Sequence, residues 1–153
     1  EEHMNACRST VTAAFCRGMR NFPVSPFVPP INDDVTLYHA LPHGLRGPLR
    51  QRILPGQYVD IGPVLGEKRD MLACHRSQKE WLDTSQGMDA YLTTMEDFSR
   101  EVGRLSGCYA LAEGWRRRSH LGFSAEDNDP LAAALGPACR IDAEYERRLE
   151  AGA

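Results

Sequence analysis

The chain has 153 residues, of which 42% are hydrophobic and 25% are charged, and this composition is typical of one globular domain or part of one. The formal net charge of -3 gives no basic excess, so neither nucleic acid nor an anionic membrane is expected as a partner. No apolar stretch is long enough to cross a bilayer and no secretory leader is visible, so we expect a cytoplasmic protein. The five cysteines form no C-x-x-C pair, and we expect their thiols to be reduced and mostly buried.

The first predicted elements are a helix, a proline-rich loop and two short strands. Apolar residues recur at helical spacing between residues 2 and 17. Four prolines then fall between residues 23 and 30 and exclude regular structure there. Short β-rich runs predict strands over residues 35–40 and 57–61, and a helical pattern follows from Pro63 to Gln78.

The clearest helix carries one continuous apolar stripe from Met88 to Leu105 and ends at Gly107. A stripe of this kind, rich in methionine and aromatic residues, predicts a packing surface. Later in the chain a short helix is predicted over residues 130–136, and the polar segment 141–153 is predicted to be marginally helical. The basic run Arg116, Arg117 and Arg118 is expected to form a solvated edge rather than an anion site, with one inward-pointing arginine left open as an alternative.

This order of helices and strands predicts an α/β fold. Two or three strands form only a small sheet for three main helices to cover. We therefore expect the C-terminal half of a Rossmann-like layered domain whose N-terminal strands lie elsewhere. A chain that begins in a helix without an initiating methionine favours such a truncation.

Histidines are the candidates for chemistry, because glycine motifs for phosphate binding or a nucleophile elbow do not occur in the sequence. By itself His3 is interpreted as an exposed terminal residue. His39 and His43 flank Pro42 at the end of a strand, which in a parallel α/β sheet is the edge where ligands bind. For His75 a structural role in a packed interface is favoured over direct chemistry. A metal site built from His39, His43 and His75 together is a further alternative.

Residues 68–115 contain a lysine-led helix, a histidine followed after one residue by Ser-Gln, and later a Tyr-Ala-Leu-Ala-Glu segment. The residues of the first motif are Lys68, His75, Ser77 and Gln78. This pattern resembles the C-terminal half of the PIG-L/LmbE-like family of zinc-dependent N-deacetylases. In that family the later segment is a shorter Tyr-Ala-Glu-like motif. Residues 109–114 depart from it, because additional residues lie between the Tyr-Ala pair and the glutamate.

The resemblance implies a zinc site and the residues that serve it. The family's Ala-His-Pro-Asp-Asp loop is absent from this sequence, whereas the segment Glu1-Glu2-His3-Met4-Asn5 looks like the end of its His-x-x-His motif, with the first histidine expected just before residue 1. His3 is therefore expected to be a zinc ligand, and Pro42, His43 and Gly44 are expected to face the substrate. The implied reaction is hydrolysis of an N-acetyl group on a sugar or sugar conjugate, with zinc as the cofactor.

The resemblance also implies that much of the catalytic machinery lies outside this chain. Residues 1–140 are expected to form the C-terminal part of a deacetylase domain, followed by a polar tail over residues 141–153. With one zinc ligand and no catalytic residue assigned, the chain alone is expected to be inactive. The alternative is a non-catalytic module for homo-oligomerisation or partner binding, which would use the apolar stripe from Met88 to Leu105.

Overall fold

The structure is a computed structural model that describes residues 2–87 and 90–152. Over these residues the protein is mixed α/β, with six α-helices and one open, four-stranded antiparallel sheet in the order β1-β3-β2-β4. The helices are α1 (Glu2–Cys16), α2 (Leu65–Ala73), α3 (Arg76–Gln86), α4 (Ala90–Ser106), α5 (Pro130–Leu135) and α6 (Ala143–Ala151). The strands are β1 (Tyr38–Ala40), β2 (Gln57–Asp60), β3 (Ala112–Arg117) and β4 (Cys139–Ile141).

Two compact units make up the chain. Unit 1 contains Glu1–His39 and Arg117–Pro130, and unit 2 contains Ala40–Arg116 and Leu131–Ala153. The division between residues 140 and 141 that the sequence suggests stays a prediction.

Unit 1 combines α1 with irregular segments around the buried ring of Phe123. The Phe15 ring meets it edge-on, with 5.9 Å between the ring centroids, and the Arg118 guanidinium lies 5.4 Å from the same centroid. The helix predicted over residues 2–17 is confirmed as α1. The proline-rich residues 21–34 form no helix or strand, as predicted.

The core of unit 2 lies where α4 packs on the sheet. The buried cluster contains Leu45, Tyr58, Val102 and Ala112. Phe98 and Leu105 of α4 pack against this cluster. The predicted helix is therefore confirmed, and the described part of its apolar stripe is a packing surface inside unit 2. Met88, at the start of the predicted stripe, lies outside the described residues.

The end of α4 approaches the segment before β3 very closely. A methyl group on Gly103 would lie 2.5 Å from the carbonyl oxygen of Ala110, so only glycine fits there without a shift of the backbone. The buried hydroxyl of Ser106 donates to the carbonyl of Gly103 at 2.6 Å and accepts from the N–H of Tyr109 at 3.0 Å. These contacts end α4 and direct the chain into β3.

The sheet departs from the parallel arrangement that would place strand ends at a ligand-binding edge. Strand β2 pairs antiparallel with both β3 and β4, and Gln57 lies opposite Trp115 on one side and Ile141 on the other. Short apolar runs carry no information on strand direction, which the connections between the strands decide. Strand β2 agrees with its prediction to within a residue, whereas β1 covers only the last half of the predicted segment 35–40.

The helical pattern predicted from Pro63 to Gln78 is divided into three pieces. A 3-10 turn over Gly62–Val64 leads into α2, and α3 begins after a break at Cys74 and His75. The ψ angle of His75 is 62°, which lies outside the helical region. The prediction of one continuous helix is therefore wrong. The break could not be predicted, because no glycine or proline marks it in the sequence.

The C-terminal segment, predicted to be marginally helical, forms the nine-residue helix α6 with both ends capped. The Asp142 carboxylate accepts the N–H groups of Glu144 and Tyr145, each at 3.0 Å. Gly152 ends the helix with a φ of 71°. These caps explain why a polar sequence with little apolar surface is nevertheless helical. The predicted helix over residues 130–136 is confirmed as α5.

All five cysteines lie in the described part of the chain, and none of them is in a disulfide, as predicted. The expectation that they are mostly buried is wrong: three are exposed and two are half-buried. Within residues 2–87 and 90–152, the helices are all too short or too polar to cross a membrane.

Candidate functional site

An ion pair between Lys68 of α2 and Glu113 of β3 is the centre of the candidate site in unit 2. The Lys68 Nζ lies 2.7 Å from the Glu113 Oε1, and the two side chains are 26% and 35% exposed. The same Nζ lies 3.4 Å from the hydroxyl oxygen of the buried Ser99 on α4. Three elements therefore meet at one charge-assisted contact that is partly withdrawn from solvent.

Two pockets share this ion pair as a wall. The larger has a volume of about 480 Å³, and Ile61, Val64, Met71, Leu72 and Met95 give it a largely apolar lining. The smaller has a volume of about 140 Å³, and Phe98 and Trp115 are among the residues that line it. An apolar cleft with a few convergent polar groups is the usual form of a small-molecule site.

Some of the residues that carry the family resemblance line this site, and others are exposed to solvent. His75 lines the larger pocket together with Lys68 and Glu113. Ser77 and Gln78 are exposed on α3 and line neither pocket. The structure thus brings the lysine and the histidine of the first motif to the same pocket as the glutamate of the second.

Two of the three predicted substrate residues line a third pocket. His43 and Gly44 lie in a 3-10 turn after β1, and with Arg46, Thr94 and other residues they enclose about 440 Å³. The His43 ring stacks on Phe98 with 6.4 Å between centroids, and Phe98 also lines the smaller pocket beside the ion pair. Pro42 precedes the turn, its carbonyl accepts the Leu45 N–H at 3.0 Å, and it is not among the residues that line this pocket.

Acidic and basic side chains both line this third pocket. Glu101 accepts two hydrogen bonds from Arg104, each of 2.8 Å, and lies 3.5 Å from a guanidinium nitrogen of Arg52. The hydrogen bond from Arg104, followed by the charges of Arg104 and Arg52, lowers the pKa of Glu101 below its ordinary value. Glu101 is therefore an ionised hydrogen-bond acceptor at neutral pH.

His3, the predicted zinc ligand, is exposed on α1 in unit 1. Within residues 2–87 and 90–152, no three histidine, cysteine, aspartate or glutamate side chains lie close enough to hold one metal ion. A zinc site takes at least three protein ligands, so a single imidazole does not form one. The described residues of this chain do not fit zinc by themselves.

The alternative metal site built from three histidines also lacks the required arrangement among the described residues. His39 belongs to unit 1, where its Nδ1 lies 3.6 Å from the Cys7 Sγ. His43 and His75 belong to unit 2 and line different pockets.

Sequence reasoning matched Lys68 to a motif and named Glu113 in a divergent segment, but it assigned neither to a site. The only signal was that both fall in stretches that resemble the same family. Their contact links residues far apart in the chain, and such a contact depends on the tertiary fold and cannot be read from spacing.

No family model, curated protein or solved structure matches this chain.

Proposed function

We propose that this chain is the C-terminal part of a zinc-dependent N-deacetylase domain of the PIG-L/LmbE-like kind, and that it has no deacetylase activity alone. The observation that supports the proposal is the 2.7 Å ion pair between Lys68 and Glu113. It joins the two stretches on which the resemblance rests, and a pocket of about 480 Å³ opens beside it. A chance likeness between two separate stretches gives no reason for them to meet at one pocket.

The proposed substrate is a sugar or sugar conjugate that carries an N-acetyl group. The pocket lined by His43 and Gly44 suits a sugar, since Phe98 contributes apolar lining for C–H groups and the Asp97 and Glu101 carboxylates can accept hydrogen bonds from hydroxyl groups. Its volume of about 440 Å³ lies in the range of small-molecule sites. Pro42 would then shape the turn that presents His43 and Gly44.

In this proposal His3 is one zinc ligand of the whole domain, and the remaining ligands and the catalytic residues come from sequence outside this chain. The antiparallel sheet described here would extend the parallel part of a Rossmann-like layered domain, since parallel sheets commonly carry antiparallel edge strands. The proposed compartment is the cytoplasm. No catalytic residue is assigned within the chain.

The alternative function, a non-catalytic module for oligomerisation or partner binding, needs a surface other than the stripe on α4. Phe98, Val102 and Leu105 of that stripe already pack in the core of unit 2. Val102 is fully buried, so a partner could reach it only if unit 2 opened.

The coding DNA immediately upstream of Glu1 separates the two functions. An in-frame sequence for a His-Pro-Asp-Asp loop supports the deacetylase. A start codon directly before Glu1 overturns the deacetylase proposal and leaves the module.

Acetate release from an N-acetylglucosamine conjugate by the longer gene product tests the role of His3. We expect activity that is lost in His3→Ala and after chelation of zinc, and retained in Asn5→Ala, a matched change at another exposed position of α1. The 153-residue chain should release no acetate and should not bind zinc tightly in a one-to-one complex. Either property in the short chain contradicts the proposal.

A further inference from the structure

We propose that unit 2 carries a second binding site, for a small organic phosphate monoester, formed by Arg52, Arg116, Arg148 and Tyr145. These residues line a concavity of about 340 Å³ together with Ile53, Leu54 and Leu149. Among the described residues that line it, three carry a positive charge and none is acidic. Three guanidinium groups around one concavity create a positive potential that attracts an anion.

Arg116 is held in place by Tyr145. The Nε of Arg116 donates to the Tyr145 hydroxyl oxygen at 2.9 Å, and the guanidinium carbon lies 6.0 Å from the centroid of the Tyr145 ring. Within residues 2–87 and 90–152, the two terminal nitrogens of Arg116 contact no hydrogen-bond acceptor of the protein. These two nitrogens remain as a preoriented fork of donors, the arrangement that binds phosphate oxygens in pairs.

Tyr145 is itself fixed by a close approach of α6 to the backbone. A methyl group on Gly56 would lie 2.6 Å from the Cε1 of Tyr145, so the ring packs directly on the glycine backbone. Beside this contact the N–H of Asp142 donates to the carbonyl of Gly56 at 2.8 Å. A ring held on two sides loses little freedom when a ligand binds, which favours affinity.

The other two arginines are weakly neutralised. Arg52 lies 3.5 Å from Glu101, but that carboxylate accepts its two shorter hydrogen bonds, of 2.8 Å, from Arg104. In the described part of the chain, the Arg148 side chain pairs with no carboxylate within 4.0 Å. Its neighbour Arg147, by contrast, pairs with Glu144 at 2.6 Å and does not line the concavity.

The lining also indicates the kind of anion. Guanidinium groups bind phosphate through paired, charge-assisted hydrogen bonds, and Ile53, Leu54 and Leu149 provide apolar contact for the organic part of an ester. A long polyanion is a poorer match, because the whole chain carries a net charge of -3. A small phosphate monoester with an apolar group satisfies both features.

The test measures binding of phenyl phosphate to the full chain by titration calorimetry or NMR, beside inorganic phosphate. We expect phenyl phosphate to bind more tightly than inorganic phosphate. Removal of one guanidinium in Arg148→Gln should weaken its binding about tenfold, the loss typical of one hydrogen bond to a charged group. Arg147→Gln is the matched control, on the same helix and with the same loss of charge, and should bind like the unchanged chain.

Arg116→Gln should weaken binding at least as much as Arg148→Gln. Since Arg116 also supports Tyr145, its circular dichroism and unfolding midpoint are compared with those of the unchanged chain. Arg148 is exposed, so its variant tests the site even if Arg116→Gln fails to fold. Absence of phenyl phosphate binding, equal loss in Arg147→Gln and Arg148→Gln, or tighter binding of a poly-glutamate peptide than of phenyl phosphate overturns the proposal.

Discussion

Replacement of Gly103 by alanine tests how closely α4 is packed against the segment that leads into β3. The added methyl group would lie 2.5 Å from the carbonyl oxygen of Ala110, 2.7 Å from its carbon and 2.9 Å from the nitrogen of Leu111. All three neighbours are backbone atoms, so no side chain can rotate to make room. The segment is also tied down, because the Leu111 carbonyl accepts the N–H of Ile61 at 3.2 Å.

Two effects of opposite sign compete in this variant. Alanine is favoured over glycine in a helix interior by about 1 kcal/mol. Overpacking of a rigid interior costs about 1–3 kcal/mol, and contact with immobile backbone places Gly103→Ala toward the upper end. We therefore expect a net loss of about 1–2 kcal/mol in the free energy of unfolding.

Gly66→Ala is the matched control. Gly66 lies in α2, and a methyl group there meets nothing within 4 Å. Only the helix preference acts, so this variant should gain about 0.5–1 kcal/mol. Urea unfolding followed by circular dichroism measures both variants, and equal m-values establish that the midpoints report stability. A midpoint for Gly103→Ala equal to or above that of the unchanged chain would refute the reasoning.

Three further predictions concern single groups in unit 2. Ser106→Ala removes the acceptor for the partly buried N–H groups of Cys108 and Tyr109 and should cost about 1 kcal/mol in urea unfolding, whereas an unchanged midpoint would mean that water replaces the hydroxyl. Burial raises the pKa of Tyr58 above its ordinary value of 10.0, so the folded state holds the phenolic proton more tightly than the unfolded state does. The free energy of unfolding should therefore fall as the pH rises above about 10, by at most about 1.4 kcal/mol per pH unit. Tyr58→Phe should show a shallower loss over the same range, and identical profiles would contradict the assignment. A double-mutant cycle with Lys68→Met and Glu113→Gln should give a favourable coupling energy of about 1 kcal/mol, and additive effects would show that the ion pair contributes nothing to stability.

Elements with strong local signals could be predicted from the sequence. The spacing of apolar residues fixed α1 and the described part of α4, and prolines marked the irregular segment between α1 and β1. In each case the signal lies within a few neighbouring residues. Such signals do not depend on the rest of the fold.

Strand β3 was missed because its sequence, AEGWRR, has no alternation of apolar and polar residues. It becomes a strand through its partner: four of its residues, from Ala112 to Trp115, pair with all of β2. The break between α2 and α3 was missed for a similar reason, since no residue with a strong turn preference marks it. These features follow from tertiary contacts, which outweigh weak local preference.

Only part of the candidate site could be predicted from the sequence. His43 and Gly44 line a pocket, so the loop after β1 was a useful guide. His3 gained its predicted role from resemblance, and the described residues supply no further ligands around it. Histidines are candidate metal ligands because they commonly bind metals. A metal site requires several ligand side chains around one point, and the distances between side chains in the fold cannot be derived from their spacing in the sequence.

Strand β3 explains why unit 2 has two separate candidate sites. Successive side chains of a strand point to opposite faces of the sheet, so Glu113 and Arg116, three residues apart, lie on opposite faces. Glu113 reaches Lys68 on one face, and Arg116 reaches Tyr145 on the other. A shift of β3 by one residue relative to β2 would exchange the faces and dismantle both sites. Variants at Arg148 should therefore change phosphate binding without altering the coupling between Lys68 and Glu113.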